Sequence, residues 1–317
     1  MKRLLITRQI DAEVIANAEA RFDVTVHEGG GLTAQEAAQA LRDYDAILPT
    51  LGDDFSAEAF TAARGEIRAG VLGNFGVGYN HIDTDAARSA GVAVSNTPDV
   101  LTDATADIGW TLILATARRA GEGERLVRSG AWGGFGPKAM LGTHVTGKTL
   151  GIVGMGRIGQ AVAARGHFGF KMPVVFYNRS RKSSDVPATQ LDTLEELMAT
   201  ADIVVVTTPG GAETAGLIDA AALAAMKPEG ILVNISRGEV VDEEALIEAL
   251  EQGRIRGAGL DVYAREPQVP DRLRALDNAV LLPHLGSATV ETRRAMGQMA
   301  LDNIIAWSEG QTPPQAV

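Results

Sequence analysis

LGIVGMGRIG, residues 150–159, is the stretch that decides the predicted fold. An apolar run with strand character meets three glycines, Gly154, Gly156 and Gly159, and a helical pattern follows at once. At this spacing the first glycine allows a tight turn, the second lets the main chain approach a pyrophosphate, and the third lets helix and strand pack closely. The helix predicted from Arg157 to Phe168 would point its N-terminal amides at the phosphates. The stretch therefore predicts a dinucleotide site.

A tight turn that binds nothing is the alternative interpretation, since the chain holds 36 glycines. The strand before the glycines and the helix after them are the context that a dinucleotide site requires, and they favour that interpretation.

Composition limits the remaining possibilities. A chain of 317 residues is long enough for two domains, each with its own core. The net charge of −11 argues against a nucleic-acid or anionic-membrane partner. The absence of cysteine excludes disulfides, thiolate catalysis and thiolate zinc sites, and we expect no metal site. The short apolar run near the first residue does not predict a signal peptide, no apolar window is long enough to span a membrane, and we expect a cytoplasmic protein.

Short apolar runs alternate with helical stretches along the chain. One such series fills the first hundred residues, and a second begins at Thr149 with six predicted strands. Strands that alternate with helices imply parallel sheets, so we predict an α/β protein with two doubly wound parallel-sheet domains. Between the two series lies a helix predicted over Thr102–Arg118, which is apolar on most faces and is typical of a helix buried between domains or subunits.

The preferred nicotinamide cofactor is predicted from the tip of the second strand after the glycine turn. An acidic residue there favours the 2′-hydroxyl of NAD, but this chain has Asn178, Arg179, Ser180, Arg181 and Lys182. Three cations and no carboxylate favour the 2′-phosphate, so we expect NADP(H) to be preferred, with NAD(H) possible. A solvated basic loop is the alternative.

Three polar residues follow predicted strand ends, where open α/β sheets bind ligands: Arg237, Glu266 and His284. Each has an ordinary structural explanation. Arg237 could pair with Asp242 or Glu243, and Glu266 could lie in a turn before a proline.

Four ordered motifs make the chain similar to a known family. They are VGMGRIGQ at 153–160, NISRG at 234–238, LDV at 260–262 with Glu266-Pro267, and PHLGSAT at 283–289. The sequence resembles the D-isomer-specific 2-hydroxyacid dehydrogenases, in particular the glyoxylate/hydroxypyruvate reductase branch, over essentially its whole length.

The resemblance implies a domain arrangement and an assembly. Residues 99–286 would form a Rossmann cofactor domain inserted in a smaller, flavodoxin-like substrate domain made of residues 1–98 and 287–317. The long helix over Thr102–Arg118 would lie in the interface of a homodimer.

The resemblance also implies catalytic roles that suit the chemistry. Reduction of a 2-oxo acid needs a hydride at the carbonyl carbon and a proton at its oxygen. His284 would donate the proton, since an imidazole exchanges protons near neutral pH. Glu266, in contact with it, would favour the imidazolium. Arg237 would bind the substrate carboxylate and the developing oxyanion.

Further positions match family residues that contact ligands. Val77 and Gly78 would offer backbone amides to the substrate carboxylate, although their glycine-rich segment could equally be a simple strand-to-helix turn. Leu51 would line the substrate pocket, which Arg237 and His284 complete. Asp261 would face the nicotinamide carboxamide. The full set predicted to contact the cofactor is Thr105, Gly154, Met155, Gly156, Arg157, Ile158, Gly159, Asn178, Arg179, Ser180, Thr208, Pro209, Thr214, Ile235, Ser236, Asp261 and Gly286.

One departure leaves the substrate open. Phe135 stands where some reductases of this branch carry Trp, and it lacks the indole N–H. The leading hypothesis is an NADPH-preferring reductase of glyoxylate or hydroxypyruvate. The alternatives are a broader dehydrogenase of larger 2-oxo acids such as phenylpyruvate, and a nucleotide-sensing corepressor without enzymatic activity.

Overall fold

The computed structural model describes all 317 residues, which fold into two compact units. We call Met1–Leu101 together with Ala288–Val317 the terminal unit, and Thr102–Ser287 the central unit. Both are parallel sheets flanked by helices, so the predicted α/β fold class is confirmed. No helix combines the length and the apolar character needed to cross a membrane.

The terminal unit is built on a five-stranded parallel sheet with the strand order β2-β1-β3-β4-β5. Its strands are β1 (Arg3–Ile6), β2 (Asp23–Val26), β3 (Ala46–Leu48), β4 (Val71–Gly73) and β5 (Ala93–Ser95). Its helices are α1 (Ala12–Glu19), α2 (Ala34–Asp43), α3 (Ala57–Ala62), α4 (Thr84–Ser89) and α12 (Val290–Ser308).

Helix α12 returns from the far end of the chain to the sheet of the terminal unit. Its Leu301 and Ile304 join a buried cluster with Leu4 and Ile6 of β1. At Gly73 a Cβ atom would lie 2.8 Å from the Ala300 carbonyl oxygen, so the absent side chain allows helix and strand to approach closely. This packing explains why the two ends of the chain fold as one unit.

The central unit has a seven-stranded parallel sheet with the strand order β12-β11-β10-β9-β6-β7-β8. Its strands are β6 (Leu150–Val153), β7 (Val174–Tyr177), β8 (Ala188–Gln190), β9 (Ile203–Val206), β10 (Ile231–Asn234), β11 (Gly257–Leu260) and β12 (Ala279–Leu281). Its helices are α5 (Thr102–Ala117), α6 (Ala120–Arg128), α7 (Arg157–Ala164), α8 (Leu194–Thr200), α9 (Ala220–Ala225), α10 (Glu243–Glu251) and α11 (Asp271–Arg274).

Several details of the central unit differ from the sequence prediction. Strand β8 was not among the six predicted strands, because this edge segment is short and alternates little in polarity. The helix predicted to run from Arg157 to Phe168 ends as an α-helix at Ala164 and continues as a π-helical segment, Arg165–Gly169. Helices α6 and α11 were not predicted either.

The core of the central unit fixes the edge that carries the polar residues. Every residue of β6, β9 and β10 is buried, as parallel strands covered on both faces require. Helix α5 packs closely against this sheet, since a Cβ atom at Gly259 would lie 2.8 Å from the Leu112 Cβ. The Trp110 indole donates to the Val162 carbonyl of α7 at 3.1 Å. The apolar faces of α5 are thus largely buried within its own unit.

Candidate active site

The glycine turn after β6 has the geometry that its spacing predicts. Gly154 has φ +98°, and a Cβ there would lie 2.8 Å from the Thr208 backbone nitrogen. A Cβ at Gly159 would lie 2.4 Å from the Gly154 carbonyl oxygen, whereas one at Gly156 would meet nothing within 4 Å. The first and third glycines are therefore required by packing, and the second leaves open space beside the backbone.

Helix α7 begins at this turn with its N-terminus uncapped. Gly156 is the N-cap residue, and it has no side chain that could accept from the first-turn amides. Such amides and the positive end of the helix dipole suit a phosphate. The Met155 amide donates to Asn178 Oδ1 at 3.2 Å and joins the turn to the tip of β7.

The basic loop at the tip of β7 is braced by β8. Gln190 Nε2 donates to the carbonyls of Asn178 and Ser180, at 3.2 and 3.1 Å. Arg181 forms an ion pair with Asp192 at 3.1 Å. No carboxylate lies within the loop, as predicted, but sequence reasoning missed both the brace and the ion pair.

Arg237 lies on a turn that Asn234 holds in place at the end of β10. Asn234 Oδ1 accepts from the Ser236 amide and hydroxyl, both at 3.0 Å, and its Nδ2 donates to the Arg237 carbonyl at 2.9 Å. At Gly238 a Cβ atom would lie only 1.9 Å from the Tyr263 carbonyl group. Asn234 and Gly238 therefore position the arginine. Both residues lie in the NISRG motif, and their place in that motif could have indicated their positioning role.

The Arg237 guanidinium is mostly buried and forms no ion pair. Its Nη1 donates to the Ser236 carbonyl at 2.7 Å. Burial lowers the pKa of Arg237, and the nearby charges of Glu266 and Glu239 oppose that shift. The two carboxylates that could have paired with it are otherwise engaged. Asp242 caps α10 through the Ala245 amide, and Glu243 accepts from the Ala264 amide. The other donors of this guanidinium suit an anionic ligand.

Asp261, at the end of β11, fixes the segment that carries His284. Its backbone carbonyl accepts from the His284 amide at 3.0 Å, and its carboxylate oxygens accept from the Leu285 and Gly286 amides, at 2.6 and 2.8 Å. Burial raises the pKa of Asp261, although these amides act in the opposite direction. Asp261, predicted to face the nicotinamide carboxamide, thus has both carboxylate oxygens bonded to the backbone of the next loop.

His284 and Glu266 form a hydrogen-bonded pair at the same edge of the sheet. His284 Nδ1 lies 2.8 Å from Glu266 Oε2, and the side chains are 30% and 31% exposed. Glu266 Oε1 accepts from the Tyr263 amide at 3.1 Å. Burial alone would raise the pKa of Glu266, but its bonds to His284 and Tyr263 and the charge of Arg237 outweigh burial and hold it below the ordinary value. The ionised carboxylate orients the imidazole and leaves Nε2 available for proton exchange.

Comparisons with known proteins agree with this arrangement. The family described as D-isomer specific 2-hydroxyacid dehydrogenase, NAD binding domain, matches residues 110–286. The chain belongs to the D-isomer specific 2-hydroxyacid dehydrogenases. It is 44% identical to a glyoxylate reductase of Thermococcus onnurineus, over 99% of this chain and 95% of that protein. A glyoxylate reductase of Pyrococcus furiosus is 43% identical over the same shares.

Solved structures extend the likeness to the whole fold. An NADPH-dependent glyoxylate/hydroxypyruvate reductase from Sinorhizobium meliloti, in complex with NADP and malonate, superposes with a TM-score of 0.88. The two chains are 34% identical, and the match covers 100% of this chain and 96% of that one. The TT0316 protein from Thermus thermophilus is 42% identical, with a TM-score of 0.92 and 99% coverage of both chains. This dehydrogenase is therefore an NAD(P)-dependent oxidoreductase of the glyoxylate reductase branch.

The dehydrogenase family implies a nicotinamide cofactor, and the residues of the central unit fit one. The turn at Gly154 and Gly156 leaves room beside the backbone, and α7 begins without a side-chain cap. Next to that turn, the buried Thr208 hydroxyl has no hydrogen-bond partner in the protein. Open space beside the backbone and helix amides without a side-chain cap are what a bound pyrophosphate requires.

The other residues predicted to contact the cofactor also belong to the central unit. Most of them lie in loops that follow its strands. Thr208, Pro209 and Thr214 belong to the loop after β9, where the Thr214 hydroxyl donates to the Pro209 carbonyl at 2.7 Å. Ile235 and Ser236 follow β10 and are buried. Thr105 is buried in the first turn of α5, and a Cβ at Gly286 would lie 3.4 Å from its side chain.

The predicted substrate residues of the terminal unit lie in two loops. Leu51, after β3, is 45% exposed. The loop after β4 is shaped by Asn74, whose Nδ2 donates to the carbonyls of Gly76 and Gly78, at 3.0 and 3.1 Å. The Val77 carbonyl accepts from Asn96 at 2.9 Å. The backbone amides of residues 77 and 78 donate to no acceptor in the protein. Sequence reasoning missed Asn74.

Proposed function

We propose that this dehydrogenase reduces small 2-oxo acids, glyoxylate and hydroxypyruvate among them, to D-2-hydroxy acids, with NADPH as the preferred reductant. The observation that carries the proposal is the 2.8 Å contact between His284 and Glu266, with the Arg237 charge close enough to act on the same carboxylate. The glyoxylate reductases of Thermococcus and Pyrococcus support the substrate class.

The proton in this reaction would come from His284. Its Nδ1–H donates to the ionised Glu266, so the proton on Nε2 can be delivered to the carbonyl oxygen of the substrate. The carboxylate keeps the ring oriented before and after the transfer. Glu266 is thus proposed as a positioning residue, and His284 as the general acid.

Arg237 would bind the negative charge of the substrate and of the transition state. Its guanidinium is mostly buried, and only one of its donors is used, by the Ser236 carbonyl. A mostly buried cation without an ion pair interacts strongly with an arriving carboxylate or a developing oxyanion, because little water screens it.

The cofactor would be held by the glycine turn, with Arg179 at the 2′-phosphate. When bound, reduced nicotinamide supplies the hydride equivalent for the carbonyl carbon. The backbone around Gly156 and the first turn of α7 would bind the pyrophosphate, and Arg179 would give the preference for NADPH.

The substrate carboxylate would also accept from the amides of Val77 and Gly78. What supports this role is that both amides lack a protein acceptor while the carbonyls around them are fixed by Asn74 and Asn96. Adjacent free amides form a concave anion site. Leu51 would supply an apolar wall.

We further propose that the enzyme is a homodimer, and that α6 and the loop after it contribute to the interface that was expected for α5. Helix α6 buries none of its residues within the chain, and Val127, Trp132, Phe135 and Leu141 are exposed on α6 and the loop after it. Large apolar side chains in one region favour a protein interface. Light scattering after size exclusion would give the mass of two chains, and Val127→Glu would lower it toward one chain.

A steady-state assay tests the proposed activity. NADPH oxidation is followed with glyoxylate, hydroxypyruvate and phenylpyruvate, and each is repeated with NADH. We expect the highest kcat/KM for a small 2-oxo acid with NADPH. Preference for phenylpyruvate would indicate the broader dehydrogenase, and the absence of turnover with every 2-oxo acid would refute the proposed reaction.

A further inference from the structure

The cation assigned to the 2′-phosphate already has an anionic partner. Arg179 Nη1 forms an ion pair with Glu213 Oε2, and the two side chains are 79% and 77% exposed. Glu213 lies in the loop after β9, 34 residues further along the chain. The carboxylate therefore lies on the guanidinium that a 2′-phosphate would need.

The backbone beside each residue of this ion pair is held by hydrogen bonds. On the Arg179 side, Gln190 bonds the carbonyls on either side of it, those of Asn178 and Ser180. On the Glu213 side, Glu239 accepts twice. Its carboxylate accepts from the Gly211 amide at 3.0 Å, and the Glu239 backbone carbonyl accepts from the Gly216 amide at 2.8 Å. The loop that carries Glu213 is thus fixed opposite the basic loop.

We propose that Glu213 is a specificity-determining residue that weakens the binding of NADP(H) and leaves NAD(H) unaffected. The inference rests on the proposed role of Arg179. A 2′-phosphate that binds Arg179 has to share the guanidinium with the carboxylate or displace it, and two anions that bind one guanidinium repel each other. A cofactor with a 2′-hydroxyl has no charge at that position, so it neither competes with Glu213 for the guanidinium nor is repelled by it. Glu213 thereby limits the preference that the basic loop alone would give.

The charge balance of the basic loop supports this inference. Arg179 is paired with Glu213 and Arg181 with Asp192, whereas Lys182 has no ion pair. Two of the three cations that predict NADP(H) preference are therefore neutralised locally. The Arg181 pair is equally exposed, at 78% and 77%, and Asp192 provides a matched control.

Isothermal titration with two nucleotides tests the inference without any enzymatic assay. The probes are 2′,5′-ADP and 5′-AMP, which differ only in the 2′-phosphate. For Glu213→Gln we expect the affinity for 2′,5′-ADP to rise about twofold to fivefold at low salt, as for the removal of a competing exposed charge. The affinity for 5′-AMP should stay constant. The gain should shrink at high salt, because ions screen exposed charges.

Two further variants separate the possible outcomes. In an Arg179→Ala background the gain from Glu213→Gln should disappear, and Asp192→Asn should raise 2′,5′-ADP affinity by less than Glu213→Gln. If Arg179→Ala weakens 2′,5′-ADP but Glu213→Gln changes nothing, the role of Glu213 is refuted and that of Arg179 stands. Equal gains in 2′,5′-ADP affinity from Glu213→Gln and Asp192→Asn would also refute the role of Glu213. If no variant alters 2′,5′-ADP binding, both assignments fail.

Discussion

His284 Nδ1 lies 2.8 Å from Glu266 Oε2, although the two residues are 18 positions apart in the chain. The contact depends on two other residues. Asp261 accepts from the backbone amides of His284 and Leu285, and the Tyr263 amide donates to the second oxygen of Glu266. Tyr263 is itself anchored, since its hydroxyl donates to the Leu282 carbonyl at 2.9 Å. Neighbouring strand ends thus fix both partners of the pair.

Replacing the imidazole should abolish proton transfer without disturbing the cofactor site. His284 has φ +53°, a left-handed conformation that Asn tolerates better than most other residues with a side chain. We therefore expect His284→Asn to fold normally and to lower kcat by about 10²- to 10⁴-fold, the usual range for general acid catalysis. Titration of NADPH should give an unchanged Kd. The exposed His144, replaced in the same way, serves as the control, and a weakened Kd with unchanged kcat would contradict the assignment.

Glu266 should stabilise the protein in a pH-dependent manner. Its pKa lies below the ordinary value of 4.5, so its ionised form is favoured in the folded state. This stabilisation is present above the pKa of the unfolded chain and is lost as the pH falls through the lowered pKa. We expect Glu266→Gln to lower Tm near neutral pH, and the gap from the unsubstituted protein to narrow as the pH falls below about 4.5.

Circular dichroism melts across that pH range measure the gap. The exposed Glu28, which lies in a loop outside the helices and strands, is replaced by Gln as the control and should leave Tm unchanged throughout. A gap that widens toward acid pH would mean that the carboxylate is protonated in the folded protein.

Gly238 should be indispensable for the position of Arg237. A Cβ atom there would lie 1.9 Å from the Tyr263 carbonyl group, so the backbone has to move. We expect Gly238→Ala to destabilise the fold by about 1–3 kcal/mol or more, the usual cost of overpacking, and to lower activity. Urea unfolding measures the loss. Gly169→Ala is the matched control, since a Cβ there meets nothing within 4 Å, and equal stability of the two variants would contradict the packing argument.

Structural features that depend on local sequence pattern were predicted, whereas contacts between residues far apart in the chain were not. The glycine turn and the buried strands follow from spacing and apolar runs, and the structure confirms the fold class that they implied. The contact of Glu266 with His284 was expected from family resemblance. The Arg179 pair with Glu213 was not predicted, because its partners lie on separate loops. Nor was the edge strand β8, because three partly exposed residues carry almost no pattern.

Asn74 should control substrate affinity through the backbone that it holds. It is 1% exposed, and its two hydrogen bonds to the carbonyls of Gly76 and Gly78 fix the backbone of the loop after β4. At about 1 kcal/mol for each bond, Asn74→Ala should raise the KM for a 2-oxo acid roughly tenfold or more. The Kd for NADPH should not change, because the cofactor residues belong to the central unit. Asn17→Ala, on the exposed face of α1, is the control. A raised Kd for NADPH with an unchanged KM would contradict the proposed role of this loop.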